Sequence, residues 1–323
     1  MHRVRAWLRP LVFLAPVFLA PFLGLVFALG AAGTASAQSI AFTFDDGPQL
    51  KETPAMSPAA RNQALLGALS RHGVQATLFV TLANGANKPE GLALARAWGD
   101  AGHTLGNHTV THPNLHDAAV TLEQYQRELL DCDAVIAALP GYRKWFRFPY
   151  LREGNTPEKR DGMRAFLQAQ GYRNAAVSLD TSDWRLDDKL RAVLARNPRA
   201  DLRPIKAAYL AHVWQRAQAY RRLAHALLGR DIPQVMLLHH NLINALWLDD
   251  VIELFESKGW TLTTPDQAFT DPVYAVPPEQ LVSGQSVLLS VARSLGMDKF
   301  RGWERLVDDG DFEIAALKAQ GVE

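Results

Sequence analysis

Cysteine is nearly absent from this chain of 323 residues, in which Cys132 is the only one. A single cysteine cannot form an intrachain disulfide, and it cannot build a metal site from several thiolates. Any metal bound by this chain would therefore need histidine and carboxylate ligands, the other side chains that zinc and similar ions use.

An excess of charge of either sign is also absent, because 34 Lys and Arg residues face 33 Asp and Glu residues, for a formal net charge of +1. This balance excludes a nucleic-acid-binding protein built on a basic face. The chain has no G-x-S-x-G elbow and no glycine-rich phosphate loop, so a serine hydrolase of that type and an ATP-using enzyme have no support. Composition points to no protein partner.

Long hydrophobic runs are absent except near the N terminus, where an apolar run from Leu11 to Ala32 precedes Ala35-Ser36-Ala37. This pattern predicts a signal peptide over residues 1–37 and a protein that is exported, either periplasmic or secreted. The run exceeds the usual h-region of about 7 to 15 residues and approaches the roughly 20 that span a bilayer, so an uncleaved membrane anchor is the alternative. Pro16, Pro21 and the small-residue motif favour cleavage.

Short β-like runs alternate with helix-like stretches along the rest of the chain. This alternation is typical of a parallel sheet, and seven such units fit a closed or nearly closed β/α barrel. A barrel of this kind carries its chemistry at the C-terminal ends of its strands. The seven runs are Ile40 to Phe44, Ala76 to Leu82, His103 to Asn107, Trp145 to Phe148, Asn174 to Leu179, Gln234 to His239 and Gly259 to Thr263.

Two adjacent carboxylates, Asp45 and Asp46, follow the first run and precede Gly47 and Pro48. Like charges this close raise one pKa sharply unless a cation or strong donors hold both groups ionised, and a metal is the simplest such cation. Neighbours on a regular strand point to opposite faces, so we expect the strand to end here and the Gly-Pro turn to let both carboxylates face one pocket. One carboxylate would then bind metal while the other handles protons.

A histidine pair, His108 and His112, follows the third run. Pro113 disfavours helical geometry at His112 and no Glu follows His108, so the pair differs from the helical zinc pair of a metalloprotease. Two imidazoles with one carboxylate, Asp45 or Asp46, supply the three protein ligands that are typical of a catalytic zinc site.

Polar motifs also end the next three runs. Each alone would be ordinary scaffolding, but their recurrence at successive strand ends predicts one shared site. They are Arg147-Phe148-Pro149-Tyr150, Asp180-Thr181-Ser182-Asp183-Trp184 and Leu237-Leu238-His239.

Together with Thr43-Phe44-Asp45-Asp46-Gly47-Pro48 and His108-Thr109-Val110-Thr111-His112, these motifs resemble the five motifs of the polysaccharide deacetylase family, the carbohydrate esterases (family 4) that share the NodB homology domain. The resemblance covers roughly Ile40 to Ala268. It implies a distorted (β/α)7 barrel and hydrolysis of acetyl groups on sugars. It also implies a divalent metal held by Asp46, His108 and His112, commonly Zn²⁺, although Co²⁺ and Ni²⁺ suit the same ligands.

The resemblance assigns further roles around the metal. Asp45 would be the general base that takes a proton from water, and Arg147 would orient this carboxylate and keep it ionised. The oxyanion would be stabilised by the metal and by the backbone N–H of Tyr150, whose ring would line the sugar subsite.

The leaving nitrogen would be protonated by His239 as general acid, and Asp183 would stabilise the protonated form of this histidine. Trp184 would shape the acetate pocket. His240 departs from the family, in which an Asp or a small residue is frequent at this place. We favour His239 because it directly follows the apolar run, whereas His240 would point the opposite way and lie in the wall or at the substrate rim.

The predicted domain plan is a catalytic domain over residues 38–270 and a C-terminal extension over residues 271–323 with no assigned role. Motifs four and five are separated by a helical insertion at residues 185–231 that is punctuated by arginines. We interpret it as a solvated helical face packed on the barrel, with a lid or a contact for an anionic wall polymer as the alternative.

The sequence therefore predicts an exported, metal-dependent hydrolase that removes N-acetyl or O-acetyl groups from a polysaccharide such as chitin, peptidoglycan or xylan. Two alternatives belong to other classes, namely a non-catalytic carbohydrate-binding barrel and an amidohydrolase acting on small C–N substrates. The intact base, metal and acid positions count against the first alternative, and the export signal counts against the second.

Overall fold

The structure, a computed structural model, describes residues 38–275, 281, 286–295 and 317–318. The predicted signal peptide and most of the predicted C-terminal extension lie outside these residues. Within the described ranges, no helix is both long and apolar enough to cross a bilayer.

The described strands form one curled sheet of eight strands in the order β5-β4-β3-β2-β1-β7-β6, with β8 pairing the start of β1. All of these pairings are parallel, which confirms the predicted α/β class. The strands are β1 (Ser39–Gly47), β2 (Thr77–Val80), β3 (Thr104–Asn107), β4 (Tyr142–Phe146), β5 (Arg173–Asn174), β6 (Leu179–Asp180), β7 (Gln234–His239) and β8 (Thr261–Leu262).

The sheet is least regular where a single strand is predicted from Asn174 to Leu179. That prediction is wrong in detail, because the segment forms two strands of two residues each, β5 and β6. Asn174 pairs with Phe146 on β4, whereas Leu179 pairs with Met236 on β7. The segment therefore links the two edge strands of the curled sheet, where a regular barrel would have one continuous strand.

Nine α-helices are described, and most begin where the sequence supplies a cap. Ser57, Thr121, Thr156 and Asn241 each accept a hydrogen bond from a backbone N–H in the first turn of the helix that follows, which satisfies a donor that the helix itself cannot pair. The helices are α1 (Pro58–Arg71), α2 (Pro89–Asp100), α3 (Leu122–Ile136), α4 (Pro157–Ala169), α5 (Asp183–Arg196), α6 (Arg203–Leu228), α7 (Leu242–Ser257), α8 (Pro265–Ala268) and α9 (Val287–Ser294).

Alternate residues of the strands face two different hydrophobic clusters. On β1, Phe42 and Phe44 belong to the large cluster that the sheet shares with the helices. Ala41 belongs to a smaller inner cluster with Phe79 and Trp145. The odd-numbered residues of β1 therefore face the inside of the curled sheet, and Asp45 continues this inner row.

The predicted insertion forms α5 and α6, and α5 begins two residues before residue 185, so it carries Asp183 with it. Both helices pack on α7. Several of their arginines pair with acids on or beside the insertion, as in Arg191–Asp187 at 2.7 Å and Arg221–Asp231 at 2.8 Å. These contacts favour the interpretation of a helical face packed on the barrel.

Candidate active site

Asp45 and Asp46 both lie inside β1, which continues to Gly47 rather than ending before the pair. The register against β2 shifts between Phe44 and Gly47, and Asp46 adopts a left-handed backbone with φ of 64°. This bulge interrupts the alternation of the strand, so the second carboxylate also reaches the inner pocket. The strand ends at Gly47, directly after the pair, but the left-handed residue that redirects the second carboxylate is Asp46 and not Gly47.

Gly47 has a different function, which is close packing. A Cβ at this position would overlap Cδ1 of Leu78 and lie 3.2 Å from Cβ of His240. Asn84 donates a hydrogen bond of 2.9 Å to the carbonyl of Asp46. The bulge is therefore held from both sides, by neighbours that only glycine allows to approach and by a side-chain amide.

The carboxylate of Asp46 lies beside the two histidines. Its Oδ1 is 3.2 Å from Nε2 of His112 and 3.6 Å from Nε2 of His108, and one ligand atom from each residue lies within 4.8 Å of the others. Oδ1 of Asp46 is buried and has no hydrogen-bond partner in the described part of the chain. A divalent metal would satisfy a buried carboxylate oxygen that faces two imidazole nitrogens. The three side chains therefore fit a metal site.

The loop after β3 that carries His108 and His112, the histidine loop, contains two left-handed residues. They are Thr109, with φ of 71°, and His112, with φ of 57°. Asn107 stabilises the first of them, because its Oδ1 accepts a hydrogen bond of 2.9 Å from the N–H of Thr109. Glu128 on α3 accepts bonds from the backbone and the hydroxyl of Thr111, at 2.6 and 2.9 Å. Sequence reasoning missed Glu128, since nothing in the local pattern of α3 links it to this loop.

Burial favours the neutral form of both imidazoles. Nδ1 of His108 lies 2.7 Å from the carbonyl oxygen of Arg147, which can only accept, so the proton is on Nδ1 and Nε2 faces Asp46. Burial lowers the pKa of His108 well below its usual value, and the proximity of His112 lowers it further. Burial also lowers the pKa of His112. Neutral imidazole is the form that binds metal.

Asp45 is oriented by Arg147, whose NH1 donates a hydrogen bond of 2.9 Å to Oδ1. The guanidinium is itself held by the hydroxyl of Thr43 at 3.2 Å, by the carbonyl of Ala175 at 2.6 Å and by the ring of Phe79 at 4.2 Å. Burial raises the pKa of Asp45 to about 6, although Arg147 lowers it. The predicted contact is present, and the carboxylate is a stronger base than an exposed aspartate.

His239 and Asp183 form the second charged pair of the site. Nδ1 of His239 lies 2.6 Å from Oδ1 of Asp183, and the backbone N–H of His239 donates to Oδ2 at 2.9 Å. Burial alone would lower the pKa of His239, but the carboxylates of Asp183, Asp46 and Asp45 together outweigh burial and raise it to about 10. The imidazole is therefore protonated at neutral pH.

His240 turns away from this pair into the protein. It is fully buried, its Nε2 donates to Oδ1 of Asn62 at 2.9 Å, and its ring lies 6.1 Å from that of Trp98. The preference for His239 therefore agrees with the geometry. His240 belongs to the buried wall between sheet and helices and not to the rim.

Tyr150 stands at the mouth of the site with 52% of its surface exposed. Its ring packs edge-on against His112, with 4.5 Å between ring centroids. Its backbone is left-handed, with φ of 58°, and its N–H donates no hydrogen bond within the described residues. Trp184 follows Asp183 in the first turn of α5 and is half-buried, and its contribution to an acetate pocket stays a prediction.

A family model described as polysaccharide deacetylase matches residues 32–174, the part of the chain that carries the first three motifs. The peptidoglycan-N-acetylglucosamine deacetylase of Bacillus cereus is 30% identical over 160 residues, which cover 49% of this chain and 51% of the relative. A chitooligosaccharide deacetylase of Rhizobium leguminosarum bv. trifolii is 35% identical over 170 residues, covering 49% and 66%. The chain thus spans about half the length of the first of these relatives.

Solved structures share the fold. The catalytic domain of a peptidoglycan N-acetylglucosamine deacetylase from Eubacterium rectale matches with a TM-score of 0.50 and 19% identity, over 78% of this chain and 94% of that chain. A protein from Bacillus anthracis described as a carbohydrate esterase family 4 pseudoenzyme matches with a TM-score of 0.50 and 17% identity, over 72% and 66%. The motifs, the matched family model and these relatives assign residues 32–174 of the chain to the polysaccharide deacetylase family.

Proposed function

We propose that this protein is a metal-dependent deacetylase that hydrolyses acetyl groups on the sugars of a polysaccharide. The observation that supports this most strongly is the arrangement around the Asp46–His108–His112 trio. The buried base Asp45 lies beside the trio, with its Oδ2 3.8 Å from Nε2 of His108. The protonated histidine His239 is paired with the buried Asp183, and the nearby carboxylates of Asp45 and Asp46 also raise its pKa. Deacetylation of an amide needs these three components together.

Asp46, His108 and His112 would hold the metal through one carboxylate oxygen and two Nε2 atoms. A divalent cation supplies a Lewis acid, which lowers the pKa of water and polarises a carbonyl oxygen. Two imidazoles and a carboxylate suit Zn²⁺, and Co²⁺ and Ni²⁺ are compatible with the same set.

Asp45 takes the proton of the attacking water. With a pKa of about 6 it is ionised at neutral pH and still basic enough to accept a proton, which is the balance a general base needs. Arg147 fixes the direction of the carboxylate through the 2.9 Å bond to Oδ1.

The oxygen that becomes negative when water adds to the acetyl carbonyl needs a donor. The N–H of Tyr150 is available in a left-handed turn next to His112, and a backbone donor that needs no rearrangement is an effective stabiliser of such an oxyanion.

His239 delivers a proton to the leaving nitrogen when the C–N bond breaks. Its Nδ1 is engaged by Asp183, so the proton available for transfer is the one on Nε2. An amine leaves poorly without protonation, and an intact acid pair therefore favours N-acetyl over O-acetyl groups. Peptidoglycan and chitooligosaccharides, which name the relatives, are the substrates to test first, with acetylxylan as the ester case.

The test is acetate release by the purified protein from chitooligosaccharides, peptidoglycan, acetylxylan and an aryl acetate. It is run after metal stripping and again after adding back Zn²⁺, Co²⁺ or Ni²⁺. We expect release that depends on the added metal, and release from none of the substrates with any metal would refute the proposal.

A non-catalytic carbohydrate-binding barrel is the second candidate, because one protein of the same fold is described as a pseudoenzyme. Glycan binding that persists unchanged in Asp45→Asn, with no turnover in the parent protein, would favour this candidate.

Export to the periplasm or beyond the cell is part of the proposal, and fractionation of cells expressing the full chain tests it.

A further inference from the structure

The carboxylate of Asp183 is surrounded by donors that a simple His–Asp pair does not need. It is fully buried, and besides the two bonds from His239 its Oδ2 accepts from Nδ2 of Asn241 at 2.8 Å and from Nδ2 of Asn244 at 2.6 Å. The directions of both carboxylate oxygens are thus determined by protein donors.

Asn244 bonds both members of the pair. Its Nδ2 donates to Oδ2 of Asp183 and also to the carbonyl oxygen of His239 at 2.9 Å. Both partners can only accept, so the amide nitrogen must face them and Oδ1 must face the other way. One amide therefore sets the distance between the backbone of β7 and the acid on α5.

Tyr209 occupies the other side of this amide. Its hydroxyl donates to Oδ1 of Asn244 at 2.5 Å, and both side chains are fully buried. Burial raises the pKa of the Tyr209 hydroxyl well above its usual range, so the group stays a donor. Tyr209 lies on α6, which is the long helix of the insertion.

We propose that Asn244 and Tyr209 are positioning residues for the general acid, and that the insertion helix thereby holds the Asp183–His239 pair in the geometry that delivers a proton to the leaving nitrogen. This rests on the proposed deacetylase function. It gives the insertion a function at the site, through contacts from behind rather than as a lid over the pocket.

The reaction with different leaving groups separates this function from a general structural one. Release of an amine from an N-acetyl sugar needs the proton from His239, whereas an aryl acetate loses a phenolate that leaves without one. A defect in the acid therefore slows the amide reaction selectively, while a defect in the metal site or in folding slows both reactions.

The variants are Tyr209→Phe, which removes only the hydroxyl, and Asn244→Ala. The matched control is Tyr125→Phe, because the hydroxyl of Tyr125 is also buried but has no hydrogen-bond partner in the described ranges. We expect kcat on an N-acetyl chitooligosaccharide to fall about 10-fold in Tyr209→Phe and about 100-fold in Asn244→Ala, within the range of general-acid effects. In each variant the loss on aryl acetate should be at least about tenfold smaller than the loss that the same variant shows on the N-acetyl substrate.

Equal losses on the two substrates, or no loss in either variant, would overturn the inference. A parent protein that hydrolyses neither substrate would refute the proposed function instead. In that case the ring signals of His239 in ¹H–¹⁵N spectra, assigned through His239→Gln, decide the positioning claim. The Nδ1–H signal should shift in Tyr209→Phe and stay in place in Tyr125→Phe, and an unchanged signal in Tyr209→Phe would contradict the claim.

Discussion

Two neighbouring carboxylates in this protein have different surroundings and therefore different chemistry. Asp45 is buried against Arg147, whereas Asp46 is part-exposed and has its Oδ1 between two imidazoles. Sequence reasoning placed both at one site, but without the family resemblance it left open which of them binds metal. The backbone at Asp46 accounts for the different surroundings of the two carboxylates, because a φ of 64° turns the side chain of Asp46 towards His112.

Replacing each carboxylate by its amide tests the division. Asp45→Asn should keep the metal and lose at least about 10²-fold in kcat, because the base is gone while the ligands remain. Asp46→Asn should weaken metal binding. Metal content after dialysis and acetate release measure both effects, and a metal-free Asp45→Asn would reverse the two roles.

His240 makes folding stability depend on pH. Burial lowers its pKa to about 3, whereas the unfolded chain takes up a proton near the ordinary value of 6.5. Below 6.5 the unfolded state therefore binds more protons, so this part of the stability is complete above 6.5 and is lost as the pH falls towards 3. Between pH 7.5 and pH 5 the loss from this one group is about 2 kcal/mol.

Denaturant unfolding of the parent protein and of His240→Gln at both pH values tests this. The variant should be less stable at pH 7.5, because its buried hydrogen bond to Asn62 changes, but it should lose less on going to pH 5. Identical losses in the two proteins would show that His240 does not carry the effect.

Helix α3 supports the histidine loop that follows β3. Both oxygens of Glu128 accept hydrogen bonds from Thr111, which lies one residue before His112. The two left-handed residues of this loop are conformationally costly, at about 1–3 kcal/mol each, so external bonds are needed to keep it in place.

Glu128→Gln should therefore weaken metal affinity by about 10-fold or more, since an amide can accept only one of the two bonds. Asp131→Asn is the control, because Asp131 is an exposed acid on the same helix. Calorimetric titration with Zn²⁺ measures the two affinities, and equal affinities in both variants would argue against a function of Glu128 in the loop.

The curled sheet as a whole brings together groups that are far apart in the sequence. The metal trio joins β1 to the loop after β3, with β2 between them, and the acid pair joins α5 to β7. A ligand that binds the trio holds distant parts of the chain together only in the folded state, and such binding is coupled to stability.

Zinc at 100 times its dissociation constant should stabilise the metal-stripped protein by about 2.7 kcal/mol. In Asp46→Asn the same zinc concentration should stabilise less, because one ligand is lost. Denaturant unfolding with a chelator and with zinc measures the difference. Equal stabilisation of the parent and Asp46→Asn would place the metal elsewhere.

The sequence alone determined the fold class and the list of chemical groups. The alternation of strands and helices has a local period that the sequence shows directly. His108, His112, Arg147 and His239 lie at or just after the ends of strands, and the ends of parallel strands meet at one edge of the sheet. The period-two alternation of a strand also predicts that the side chains of His239 and His240 point to opposite sides of the sheet.

Only the tertiary structure decided how those groups are held. The bulge at Asp46, the bonds from Glu128 to Thr111 and the contacts from Tyr209 through Asn244 to Asp183 join residues that are far apart in sequence or depend on a neighbouring strand. Local patterns report hydrophobic period and capping, but they carry no information about which distant donor meets which acceptor. The insertion shows this most clearly. Its sequence predicts only a packed helical face, whereas in the fold its buried Tyr209 hydroxyl contacts Asn244, which in turn contacts Asp183.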